Sequence, residues 1–188
     1  MQTLDLIGPM LGAAHVYLEG TAVRRTGGIC PGSVERTEYR FWATRHDLRV
    51  EDSDGLVQVR GRDATGRPAH QVSFRGEVLE TGPHLGQGNH EIEQLWLPRL
   101  ALIWGRPGED WRLTEHVEAQ SPDRVRIRLA PTEAGGADQE GAYVEVDPDS
   151  GRLWTIALPG DRWEMVSIRE FPADEQDPAP RFVVRGGG

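Results

Sequence analysis

The sequence predicts a mainly β (α+β) protein: a curved antiparallel sheet or open barrel, with a helical insert packed on its concave face. Three observations predict it. First, residues 142–171 read strand, turn, strand, turn, strand, with Pro148-Asp-Ser-Gly151 and Pro159-Gly-Asp161 as the turns. Tight turns between alternating runs make a β-meander, which excludes the long helical crossovers of a parallel sheet here. Second, short alternating segments recur along the chain, nine or ten in all. Third, the one extended run with apolar residues at helical spacing covers about Asn89 to Trp104.

The elements follow in order. Residues 1–12 form a short amphipathic piece, with Leu4, Ile7 and Leu11 at helical spacing. The start is read as mature chain and not as a signal peptide: it lacks a basic leader, Asp5 interrupts the apolar run and Gly8-Pro9 breaks it. His15 to Arg25 alternates as a strand, and Thr26 to Gly32 is a loop. Val34 to Thr44 is a second strand, with Tyr39 and Phe41 opposite Trp42. Asp47 to Glu51 is extended, Asp52-Ser-Asp-Gly55 turns the chain, and Gly55 to Gly61 pairs back with Val57 and Val59 on one face. Pro68 to Arg75 is a strand, and residues 80–90 are a glycine-rich loop.

The helical insert comes next. Asn89 can cap it, and Glu91 and Glu93 suit its positive end. Ile92, Leu95 and Trp96 share a face, and Pro98 predicts a kink or two short helices. The longest helix is expected within 89–104. Gly82 to Gly88 and Gly105-Arg-Pro-Gly108 flank the insert, either as hinges of a moving lid or as plain connectors. Trp111 to Ala119 and Arg124 to Leu129 alternate as strands, the second with Val125, Ile127 and Leu129 inward. The meander follows. Residues 1–185 are expected to form a single domain, and 186–188 a disordered tail.

Composition excludes several function classes. The formal net charge is −9, with 21 basic and 30 acidic residues. The arginines are interleaved with acids, so no basic patch for nucleic acid is expected, nor attraction to an anionic membrane surface. No run reaches the length of an integral membrane segment. The chain has no lysine, which removes Schiff-base and P-loop chemistry. Its one cysteine, Cys30, can form no internal disulfide, and no CxxC exists. These features suit a cytoplasmic protein, exported only if an upstream leader was trimmed.

No constellation of catalytic residues emerges, and no metal or cofactor is expected. His84, His90, Glu91 and Glu93 do not follow zinc-ligand spacing. His15, His46, His70 and His116 fall singly on strands. Asp147, Asp149 and Ser150, like Asp52 and Asp54, are turn residues with too few ligands for a calcium loop. No GxSxG is present, and Gly82, Gly86 and Gly88 do not follow a strand-to-helix dinucleotide layout. The six tryptophans are either core filling or the lining of an apolar cavity.

Three segments carry a family resemblance: Tyr39 to Gly55, a strand pair ending in an acidic-Gly turn; the hairpin Tyr143 to Trp154 with its Val-Asp-Pro-Asp-Ser-Gly turn; and Val166 to Phe182 with Asp177-Pro178. Over about residues 15–182 the chain resembles the LolA/RseB-like group, the lipoprotein-carrier-like and sigma-factor-regulatory-like half-barrels of actinobacteria. The resemblance implies an open half-barrel with a helical lid over an apolar cavity for acyl chains or a protein segment. The chain departs from that group in lacking an export signal and a lipobox cysteine.

The resulting expectation is a non-enzymatic binding protein whose partner is a hydrophobic small molecule or a partner peptide. Its ligand would lie against Trp42, Leu95, Trp96, Leu100, Ile103, Trp104 and Trp111. The alternative is a protein-interaction or regulatory module with a filled core and no small ligand.

Overall fold

The computed structural model describes residues 2–12, 17–27, 33–44, 46–84, 90–132, 141–171 and 182–184. Cys30, His15, Asn89, Gly86, Gly88, Asp177-Pro178 and the expected tail 186–188 lie outside them. Among the described residues, one α-helix, α1 (Thr3–Gly12), is followed by eleven strands in a single open sheet. These are β1 (Tyr17–Gly27), β2 (Val34–Ala43), β3 (Leu48–Asp52), β4 (Leu56–Arg62), β5 (Pro68–Phe74), β6 (Glu77–Pro83), β7 (Trp111–Ser121), β8 (Arg124–Pro131), β9 (Tyr143–Val146), β10 (Leu153–Leu158) and β11 (Asp161–Phe171).

The strand order is β6-β5-β4-β3-β2-β1-β11-β10-β9-β8-β7. Two antiparallel meanders, β2 to β6 and β7 to β11, thus lie on either side of β1. The first runs outward to the edge strand β6. The second starts at the other edge, β7, and runs back inward. The connection 84–110 joins the two edges, and it contains the insert.

Eleven strands replace the nine or ten expected, and β6 is the one the pattern does not reveal. Its side chains are almost all exposed, and a bulge where Val72 pairs Glu80 but Ser73 pairs Val78 breaks the alternation. Val78 and Leu79 both face solvent as a result. The turn before it holds Arg75 at φ 48° and Gly76 at φ 88°, the left-handed pair a two-residue hairpin requires.

The expected helix over 89–104 resolves into two 3₁₀ turns, Glu91–Leu95 and Pro98–Leu100. Pro98 has no N–H to donate and its ring clashes with a helical predecessor, so the first turn cannot propagate through it. The longest described helix is therefore α1, not the insert. Its buried face also differs from the expected one. Leu6 and Met10 are buried, whereas Leu4 and Leu11 are 74% and 51% exposed. The helix continues through Gly8-Pro9.

The chain forms two compact units. In one, α1 packs against β7 and the second 3₁₀ turn, and the first turn packs against β10. Ile92, Leu95 and Ile103 of the connection, Val125 and Ile127 of β8, and Val144 and Val146 of β9 are all fully buried. Gly151 sits at φ 72°, and a Cβ there would lie 2.1 Å from the Pro9 carbonyl carbon. The turn after β9 can therefore receive α1 only as glycine. In the other unit, Tyr17, Trp42 and Phe182 form one buried cluster and Val59, Ala69 and Val184 another. Val183 bridges Arg62, and a Cβ on Gly61 would lie 2.0 Å from the Phe182 carbonyl oxygen.

On the face of β8–β10 turned away from the core, Glu145 accepts from Arg126 Nη2 at 2.7 Å and from Thr155 Oγ1 at 2.9 Å. Burial pushes its carboxyl up, but those two hydrogen bonds and the charges of Arg126 and Arg124 outweigh it, so it lies below its ordinary value of 4.5.

Two predictions follow from this packing. Gly151→Ala should lower unfolding free energy by about 3 kcal/mol, from left-handed strain plus collision with α1. A change within experimental error in chemical denaturation would contradict the close approach. A depressed folded-state carboxyl contributes stability above its unfolded value and loses it as pH falls through the folded one. Glu145→Gln should thus be less stable than wild type by about 1–2 kcal/mol at pH 7, and the gap should shrink as pH falls below the ordinary carboxyl value of 4.5. A gap independent of pH would show that the charge of Glu145 contributes nothing.

Candidate functional site

The site is a cleft of about 420 Å³ within the first unit, between the insert and the β10–β11 hairpin. Period-two alternation sets one wall. Ile156 pairs directly with Trp163 and Leu158 with Asp161, so these four side chains share one face of the hairpin. The insert supplies Leu100, Leu102 and Ile103, and Trp111 at the start of β7 completes the apolar lining. Leu102 is 63% exposed, an apolar side chain held at the mouth.

The insert is fixed at both ends. At its start, His90 Nδ1 accepts from Ile92 N (3.1 Å) and Glu93 Oε2 accepts from His90 N (2.7 Å), a reciprocal cap on a 3₁₀ turn. His90 therefore takes the capping position expected of Asn89. Because Nδ1 accepts, the neutral ring carries its proton on Nε2. At its end, Ile103 to Gly105 pair back on β7: Leu113 N donates to Ile103 O and Gly105 N to Trp111 O. The buried Glu109 carboxylate accepts from Trp104 N (2.8 Å), from Arg106 N (3.1 Å) and from Arg106 Nε. This covers part of the β7 edge and holds Ile103 against the cleft.

Polar groups ring the mouth: His90, Glu91, Gln94, Asp110 and Asp161. Arg24 of β1 binds two of them. Its Nε and Nη2 donate to the two Asp161 oxygens at 2.9 and 3.0 Å, and Nη1 donates to Glu91 Oε2 at 2.6 Å. The guanidinium also stacks on Trp163, 4.9 Å from the ring centre. Glu91, expected to serve the insert's own positive end, thus ties the insert to β1 instead. Among the described residues, no group of three or more His, Cys, Asp or Glu side chains is placed to hold a metal ion. No described helix is long and apolar enough to cross a membrane.

The sequence-predicted ligand residues divide three ways. Leu100, Ile103 and Trp111 line the cleft. Leu95 and Trp96 are buried and do not line it; they are the foundation of the insert. Trp104 turns aside, its Nε1 donating to Pro98 O at 2.9 Å. Trp42 belongs to the other unit, packed with Tyr17 and Phe182 under the Arg40 guanidinium. Ile156, Leu158 and Trp163 were legible only as the apolar side of the meander. The acidic mouth, Glu91, Asp110 and Asp161, left no sequence signal because its members come from three distant segments. The hinge reading of the flanking glycines also changes at two places. Gly82 is a paired residue of β6, opposite His70, and Gly105 is bonded to β7.

No protein-family model and no curated protein matches the chain. Among solved structures, it is similar to a LolA superfamily protein from Nitrosomonas europaea, with 12% identity and a TM-score of 0.34 over 92% of this chain and 96% of that one.

The anchoring of the insert generates a prediction. Glu109→Ala leaves two backbone N–H groups and Arg106 without their carboxylate, so it should cost about 2–3 kcal/mol of stability. It should also speed hydrogen exchange at Gly105 and Leu113. Unchanged exchange there would show that Glu109 does not hold the edge.

Proposed function

We propose that the chain is a non-enzymatic binding protein that takes an apolar, lipid-like molecule in the cleft between the insert and the β10–β11 hairpin. One observation carries this reading. Seven apolar side chains from the insert, the start of β7 and the β10–β11 hairpin converge on an open space of about 420 Å³. That volume falls within the range of small-molecule pockets, and a largely apolar lining with a few polar groups at the mouth is the usual composition of such sites. Of the groups at the mouth, His90 serves as a cap and Glu91 and Asp161 are ion-paired with Arg24, and among the described lining residues no nucleophile is set against a base. Desolvating an alkyl chain against this lining supplies about 0.8 kcal/mol per methylene.

The test uses the tryptophans as addresses. Titration with dodecyl maltoside below its micelle concentration should shift the indole N–H resonances of Trp111 and Trp163. Those of Trp42, packed in the other unit, and of Trp154 should stay in place. Leu102→Asn and Leu158→Asn should each weaken binding about tenfold, the affinity equivalent of about one to two buried methylenes. Shifts confined to other tryptophans, or none at saturating probe, would overturn the proposal and favour an interaction module with a filled core.

A further inference from the structure

We infer that the ligand of this cleft is a small amphiphile with a cationic head group. The inference rests on the apolar-ligand reading above and adds the charge of the ligand. Three carboxylates, Glu91, Asp110 and Asp161, stand at the mouth, and among the described residues the cleft lining contains no arginine. Arg24 is the cation beside it, and its Nε, Nη1 and Nη2 all donate to Asp161 or Glu91 while its face covers Trp163. Among the described residues at the entrance, three carboxylates against the Arg24 guanidinium leave two negative charges. The guanidinium donors that would grip a carboxylate or phosphate head are already engaged.

Asp110 contributes most directly to this field. Its backbone carbonyl accepts from Thr132 N at 2.8 Å, which fixes the residue at the start of β7, and its exposed side chain lines the mouth. An ammonium head placed there meets the Asp110 carboxylate on the rim that also carries Glu91 and Asp161, while the alkyl chain runs inward along Trp111, Ile156 and Trp163. An anionic head in the same place meets the same field with the opposite sign. Charge therefore discriminates among amphiphiles of equal chain length, and does so less at high salt.

The experiment compares three twelve-carbon probes on the full chain by the Trp111 and Trp163 indole shifts: dodecyltrimethylammonium, neutral dodecyl maltoside and dodecanoate. At low ionic strength the cationic probe should bind about tenfold more tightly than the neutral one, and dodecanoate more weakly than either. Asp110→Asn should lower the cationic-to-neutral ratio severalfold, and Arg24→Gln, which unmasks Glu91 and Asp161, should raise it. Should Arg24→Gln fail to fold, Asp110→Asn decides alone. Equal affinities for the three probes would overturn the head-group inference while leaving the apolar reading intact; failure of all three to shift either indole would remove both. A cationic preference unchanged in Asp110→Asn would trace it to the overall charge of −9 and overturn the inference. Binding of a basic amphipathic peptide in place of the cationic probe would overturn it in favour of a peptide ligand.

Discussion

The burial of the insert, residues 91–103 of the β6–β7 connection, is the constraint on which the rest depends. A sheet ordered as two meanders around one strand needs a single long link between its edges, and a long link must bury apolar side chains to be ordered. Here Ile92, Leu95 and Ile103 do so, each 1% exposed or less. The first 3₁₀ turn rests on β10, and α1 meets the second. Pro98 decides what the link looks like. It interrupts the helical pattern, so the insert forms two short turns. The cleft lies beside those turns, against the β10–β11 hairpin.

Carboxylates complete what apolar burial starts. Glu93 and Glu109, 3% and 5% exposed, answer backbone N–H groups at the two ends of the insert. These donors have no helical partner to satisfy them, and an unsatisfied buried donor costs about 1–3 kcal/mol. Glu91 and Asp161 are engaged differently, through the Arg24 guanidinium. Part of the acidity of the chain thus serves to fix one loop and to edge one cleft.

Much of the sheet was legible because it is amphipathic. The meander 142–171 alternates cleanly, and its three strands lie within a residue or two of where the pattern places them. Val125, Ile127 and Leu129 face inward as their spacing demands. Strand β6 was hidden because an exposed, bulged edge strand carries no hydrophobic alternation. The face of α1 was misplaced by one residue in the turn, since Leu4 and Leu11 are as apolar as Leu6 and Met10 and only tertiary packing distinguishes them. The proposed cleft was half legible. The insert residues Leu100 and Ile103 were readable from local pattern, whereas the wall opposite depends on a hairpin far along the chain. Leu95 and Trp96 looked like ligand contacts for the reason that makes them core: they are the most apolar part of the insert.

Native mass spectrometry of gently extracted protein tests the central claim most directly. The account predicts a population carrying a small apolar molecule as a discrete added mass, absent from a Leu102→Asn/Leu158→Asn variant extracted in the same way. A bound mass retained in full by that variant would place the ligand elsewhere. A bare chain mass in the native protein, unchanged after incubation with twelve-carbon amphiphiles, would show that the cleft takes no such ligand.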